Sequence, residues 1–202
     1  MKVLAMRTLA MKGLGLSVSC VCIVSLAACS LPAAAPAQTQ HDLGGVFPQG
    51  NARSPVPLRI VQVSAQPLVA SIAMQYREAA QPTRRGSYAL NRWAASPATM
   101  VEAGLTRMLG LEGGAKCRVQ FSLAEFIIDV DANGKSRALL AADAALFREQ
   151  TQAVAQRSFD IAVPMKEAGP AAGALALREA VQKLAEESAS WLGGNQARVC
   201  LP

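Results

Sequence analysis

Histidine is almost missing from this 202-residue chain; His41 is the only one. A metal centre or proton relay built on imidazole therefore has nothing to draw on. Aromatic residues make up only 4%, so any core must be mostly aliphatic. Charged residues are 17%, below the roughly 25% of an average globular chain. No block of Lys or Arg appears, and no basic stripe is interleaved with rings, which argues against nucleic-acid binding. The formal charge is +6, from 20 basic and 14 acidic residues. Lys2, Arg7 and Lys12 precede residue 29 and no acid does, so the remainder carries 17 − 14 = +3. There is no Walker loop and no internal repeat. What the chain does have is apolar mass: 51% is hydrophobic, enough for one domain with tails.

The three early cations form a positive start, and the run Leu14 to Val24 that follows is apolar. It is shorter than the roughly 20 residues that cross a bilayer comfortably, and reads as a secretory signal. It ends Leu26-Ala27-Ala28-Cys29, which resembles the lipobox of bacterial lipoproteins. The small residues suit a narrow peptidase cleft, and the Cys29 thiolate accepts the lipid. The alternatives are an ordinary signal peptide cut elsewhere or an uncleaved anchor. Several acyl chains make a stable anchor where one alone is marginal. Ser30, rather than Asp, follows the cysteine. By analogy with enteric bacteria, that implies the outer membrane, with the domain facing the periplasm. The resulting division is a signal peptide over 1–28, a lipidated tether over 29–55, rich in Ala, Pro, Gln and Gly, and a periplasmic domain over 56–202.

Of five cysteines, Cys20 and Cys22 leave with the signal and Cys29 is acylated. Cys117 and Cys200 remain, an even pair in an oxidising compartment, which points to a disulfide. Two buried thiols or an intermolecular bridge are the alternatives.

Periodicity supplies an outline. Pro57 to Ser64 and Val69 to Arg77 alternate as strands, and Ser87 to Leu90 is a short extended piece. Ser96-Pro97 starts a helix, with Ser as cap and Pro at its first position; Val101, Leu105, Met108 and Leu109 make its apolar stripe. Cys117 to Val130 is the longest strand. Val119, Phe121 and Leu123 point one way, while Phe126, Ile128 and Val130 have the opposite parity, so a bulge is expected around Ala124-Glu125. Asp131 to Gly134 is a hairpin turn, Arg137 to Leu146 its return strand, and Val154 to Met165 the next strand. Ala171 to Leu192 is an amphipathic helix stopped by Gly193-Gly194. The expected fold is α+β: an antiparallel sheet with two amphipathic helices packed on one face.

Catalytic patterns are weak throughout. Asp129-x-Asp131-x-Asn133-Gly134 resembles half of an EF-hand loop, but the twelfth position is Leu140 and the flanks are strands, so a plain turn is the better reading. A nucleophile–histidine site would have to recruit His41 from the tether. Glu186 and Glu187 diverge on a helix. No cofactor or metal is expected, and no catalytic residue. The unusual stretch is Tyr76-Arg77, Arg84-Arg85, Tyr88 and Arg92-Trp93. It crowds rings and guanidinium groups, the residue types that anchor interfaces, and Tyr76, Arg77, Tyr88, Arg92 and Trp93 are candidate partner-binding residues. The alternative is a strand whose rings cover the helix end beside solvated arginines.

This ordered series resembles the ABC-type transport auxiliary lipoproteins, a family that includes the lipoprotein of the paraquat-inducible MCE system. The resemblance is carried by the lipobox at Cys29, by His41-Asp42-Leu43-Gly44 (similar to the family's Tyr-Asp-Leu-Gly, with His for Tyr), by Leu58 to Val63, and by Tyr88-x-x-x-Arg92-Trp93-Ala94-x-x-Pro97. Arg157-x-Phe159 and a last helix ending in Trp191-Leu192 complete it. The resemblance implies a non-enzymatic lipoprotein, anchored in the outer membrane by its acyl chains. It would serve an MCE-type ABC transporter that moves phospholipid between membranes, with an MCE-domain periplasmic protein as partner and self-association left open. A structural adaptor of another envelope assembly or secretion machine is the second reading, and a periplasmic hydrolase the third.

Overall fold

The computed structural model describes residues 36–45, 47, 52–149 and 152–201. Cys29, the signal segment and the start of the tether lie outside the described residues. The fold is α+β, a seven-stranded open sheet with two long helices. The strands are β1 (Thr39–His41), β2 (Leu58–Ala65), β3 (Ala73–Glu78), β4 (Arg85–Trp93), β5 (Cys117–Val130), β6 (Ser136–Arg148) and β7 (Ala153–Pro164). The helices are α1 (Pro97–Leu109) and α2 (Pro170–Leu192), and a 3₁₀ helix spans Asn195–Cys200.

The sheet is mixed rather than wholly antiparallel. Its order is β1-β4-β3-β5-β6-β7, with β2 also on β5. β5 pairs antiparallel with β6 along its whole length, and β6 with β7. The other edge of β5 has two parallel partners in succession: β2 along Cys117 to Leu123, then β3 along Ile128 to Val130. β2 and β3 thus act as one interrupted strand, joined by a loop that leaves the sheet at residue 66 and returns at residue 73. β4 folds back antiparallel on β3, and β1 lies parallel to β4 at the margin.

The expected bulge is present: the β5–β6 register shifts between Leu123 and Glu125. Its consequence is chemical. A strict two-residue period would carry Glu125 into the core behind Val119, Phe121 and Leu123. The extra residue, Ala124, lets Phe126 and Ile128 take the core side, where both are buried. Glu125 and Asp129 go to the face away from the helices.

Ser96 caps α1, its Oγ accepting from the Thr99 N–H at 3.3 Å, and Gly110 ends the helix with φ +74°. α1 packs on β2, α2 on β6 and β7, and the two helices on each other. The free edge of β2 is blunted by α1: the Val63 N–H donates to the Glu102 carboxylate at 2.8 Å. Asp131 closes the β5–β6 hairpin by accepting from the Asn133 and Lys135 N–H groups at 2.8 and 2.9 Å. Gly134 takes the left-handed position that turn requires, with φ +76°.

The packed domain starts earlier than residue 56. β1 lies within the stretch read as tether, and Leu43, Phe47 and Ala52 are buried in the core. At the other end Cys117 and Cys200 form a disulfide with 5.6 Å between Cα atoms, tying the 3₁₀ helix to the start of β5. The closed loop separates the cysteines by 83 positions, which the loop-entropy relation values at about 4 kcal/mol. Urea unfolding of the Cys117→Ser, Cys200→Ser protein should show a midpoint lowered by a loss of that order. The same change should follow reductant treatment of the wild type.

Candidate partner-binding surface

The five residues singled out in the sequence do not share one surface. Trp93 ends β4 and is 1% exposed; its ring packs on Phe126 at 5.4 Å between centroids. It is a core residue, held there because β4 turns into α1 beside it. Arg77 points to the face opposite the helices, where it is fully engaged. Arg92 is half-buried on β4 and makes no side-chain hydrogen bond or ion pair with the described residues. Tyr76 and Tyr88 do meet, with centroids 4.9 Å apart and planes tilted by 47°.

The pair is built by β3 and β4. Tyr76 stands opposite Gly86 in the register. A Cβ at residue 86 would run into the Tyr76 ring, so glycine there lets the ring lie flat across β4 toward Tyr88. Burial pushes the Tyr88 phenol above its ordinary pKa, helped by Tyr76 and Glu78 close by. Past the rings, toward the β3–β4 turn, a shallow cleft of about 230 Å³ is lined by Tyr76, Glu78, Gln81, Arg84 and Gly86. Arg84 is exposed and donates to the Gln81 side chain at 3.0 Å. Rings, an exposed guanidinium and a small concavity therefore gather at the tip of this hairpin.

On the other face an ionic lattice, missed in the sequence, fixes the hairpin to the rest of the sheet. Arg77 Nε donates to Asp129 Oδ1 at 3.1 Å, and its Nη1 lies 3.6 Å from Glu125 Oε1. Arg85 donates to the same Glu125 oxygen at 2.6 Å. Arg137 grips Asp129 Oδ2 through Nε at 3.1 Å and Nη2 at 2.9 Å. The chain of charges runs β4, β3, β5, β6. Burial alone would raise the Asp129 pKa. The hydrogen bonds and charges of Arg137 and Arg77 outweigh it and hold the carboxyl below its ordinary value. The signal was present in sequence as Glu125 and Asp129 sharing a parity once the bulge is allowed.

A larger open hollow of about 610 Å³ lies along β5, β6 and β7. Its polar lining includes Gln120, Ser122, Asp143 and Ser158, and the Ser158 hydroxyl donates to Asp143 at 2.6 Å. Among the described residues no group of three or more His, Cys, Asp or Glu could hold a metal ion. No helix among them is long and apolar enough to cross a membrane.

Asp129 provides a test of the lattice. Because its folded pKa is lowered, its stabilising contribution is complete above the unfolded value and is lost as pH falls through the folded one. Asp129→Asn should cost about 2 kcal/mol at neutral pH, the usual worth of charged hydrogen bonds. The difference from wild type should shrink as pH falls below the ordinary carboxylate range near 4. Thermal melts across that range check both the size and the sign.

The family model for the ABC-type transport auxiliary lipoprotein component matches residues 42–189. No curated protein matches the chain. Among solved structures, the crystal structure of protein XCC0632 from Xanthomonas campestris, assigned to the DUF330 family, aligns with TM-score 0.60 and 20% identity, over 77% of this chain and 91% of that one. A crystal structure of an uncharacterized protein aligns with TM-score 0.56 and 11% identity, over 78% of this chain and all of the other. At these identities the structures speak for the fold. The match over 42–189 speaks for the family: the chain belongs to the ABC-type transport auxiliary lipoproteins.

Proposed function

We propose that this auxiliary lipoprotein is the non-enzymatic outer-membrane partner of an MCE-type ABC transporter that moves phospholipid between the two membranes. Acyl chains on Cys29 hold it, and its β3–β4 hairpin docks the transporter's periplasmic MCE-domain protein. The family match over residues 42–189 carries the reading; a transport auxiliary component has no catalytic role to fill. The family leaves the transporter type, lipid and membrane open, and these come from the sequence resemblance and the Leu26-Ala27-Ala28-Cys29 motif.

The docking assignment differs from the set expected in the sequence. Trp93 is core and Arg77 is spent on carboxylates, so neither can anchor a partner without unfolding its surroundings. Tyr76, Tyr88 and Arg84 sit together at the hairpin tip, with an exposed guanidinium and half-buried rings beside a cleft. Interface anchors of these types commonly lose about 2 kcal/mol or more on truncation, roughly thirtyfold in affinity. Arg84→Glu should weaken binding to the purified MCE-domain protein by about that factor. Its melting temperature should not change, because its side chain bonds only to exposed Gln81. Binding at wild-type strength would remove the hairpin tip from the interface.

The anchor has its own test. Cys29→Ala should accumulate as unprocessed precursor, and intact-mass analysis of the wild type should show an acylated N-terminal cysteine. An unmodified mature N-terminus would refute the anchor.

A further inference from the structure

A bare sheet edge is a row of unpaired backbone groups that can capture another strand, and proteins ordinarily cover it. Two margins of this sheet are covered. The Glu102 carboxylate of α1 accepts from the Val63 N–H on β2, and β1 lies along the Trp93 end of β4. β7 has no such cover: among the described residues it pairs only with β6.

The register fixes which groups this edge offers. The Met165 N–H donates to the Ser136 carbonyl at 2.9 Å, so Val163, Ile161, Phe159 and Arg157 turn their backbone groups toward β6. Gln156, Ser158, Asp160 and Ala162 turn theirs outward, and all four are exposed. Pro164 takes the next outward position, where its missing N–H costs no bond to β6.

The core side of the same edge carries an aromatic residue. Trp191 of α2 is half-buried, and its ring meets Phe159 of β7 edge-on, with 6.1 Å between centroids. Arg157 lies over the Phe159 ring at 5.0 Å, and its Nη2 is 3.9 Å from a Glu187 carboxylate oxygen of α2. The one cation of β7 is thus engaged within its own chain, while the indole keeps part of its surface in solvent.

We propose that two copies of this chain pair through β7, antiparallel about a twofold axis at Phe159, with Asp160 of each copy opposite Ser158 of the other. A twofold perpendicular to the sheet keeps both cores on one side, so a residue can stand opposite only one of its own parity. Among the registers this allows, an axis at Arg157 or at Asp160 sets like charges directly opposite each other. An axis at Ser158 puts Ala162 opposite Val154, where the β6–β7 register shifts. An axis at Phe159 matches Gln156 with Ala162 and Ser158 with Asp160, so every outward N–H of these residues meets a carbonyl of the other copy. The two Asp160 carboxylates are then diagonal neighbours at about 7–8 Å, and salt at physiological strength partly screens them.

The helices fit the same arrangement. α2 touches β6 and β7 alike, so its axis runs above the line between them. With strands about 4.8 Å apart, the twofold brings the two copies of α2 to about 10 Å, the spacing of packed helices. Trp191, on the β7 side of α2, lies between them, and tryptophan is among the commonest interface anchors.

The test is oxidative crosslinking in membranes of cells that co-express two full-length variants, Ser158→Cys and Asp160→Cys, carrying tags of different mass. Both positions are exposed, and the first change gives up only the exposed hydrogen bond to Asp143. The wild type, whose Cys117 and Cys200 are bonded to each other, is the blank. Cα atoms opposite each other in such a pair are about 5.5 Å apart, within reach of a disulfide. The expected result is a band of doubled mass on a non-reducing gel that carries both tags and is stronger than either variant linked to itself. Gln62→Cys, exposed on β2, measures chance collision in the membrane. A mixed band no stronger than the Gln62→Cys band, or weaker than Ser158→Cys linked to itself, overturns the pairing.

Discussion

One inserted residue in the longest strand determines what each face of the sheet can be. Ala124 bulges out of β5, and the parity of the strand changes there. Were β5 to alternate strictly through Ala124, Glu125 and Asp129 would turn into the core and Phe126 and Ile128 out of it, and an unpaired carboxylate in the core costs several kcal/mol. The bulge also falls where β5 changes neighbours, from β2 to β3. One local irregularity therefore separates two registers, completes the core under the helices, and sets two carboxylates on the open face within reach of three arginines.

Those carboxylates are what tie the β3–β4 pair to the central strands. β3 meets β5 over only three register positions, too little backbone pairing to fix a hairpin rigidly. Arg77, Arg85 and Arg137 add a second layer of restraint that crosses four strands, partly shielded from solvent, where ion pairs hold more strongly than at an open surface. A hairpin pinned in this way can present its tip without being part of the core. Trp93 secures its base from the other side, against Phe126.

Much of this was legible in the sequence, and the failures have physical causes. The parity flip at Ala124-Glu125, the Ser96-Pro97 helix start and the Asp131–Gly134 turn are local signals, and each appears where expected. Which strand lies beside which is not local: the parallel placement of β2 and β3 along one edge of β5 depends on a loop and on a crossover through α1. Ala, Pro and Gln dominate the stretch before residue 56, yet β1 lies within it and its Leu43 and Phe47 are buried against the core. The five residues do not share one face for a reason of strand geometry: Tyr76 and Arg77 are neighbours on β3, neighbours on a strand face opposite ways, and Trp93 is buried.

The proposed docking point is the Arg84 end of β4, while the Trp93 end is built into the core against Phe126. The family accounts for an auxiliary lipoprotein of ABC-type transport; the tip of the β3–β4 hairpin is where the proposed function has it meet the transporter. The most direct measurement is in-cell crosslinking from a photoreactive amino acid at position 84, with position 62 on β2 as the comparison. The account predicts capture of the transporter's MCE-domain subunit, identified by mass, from position 84 and not from position 62. Capture of that subunit from position 62 alone, or from neither position in cells where the transporter is assembled, would contradict it.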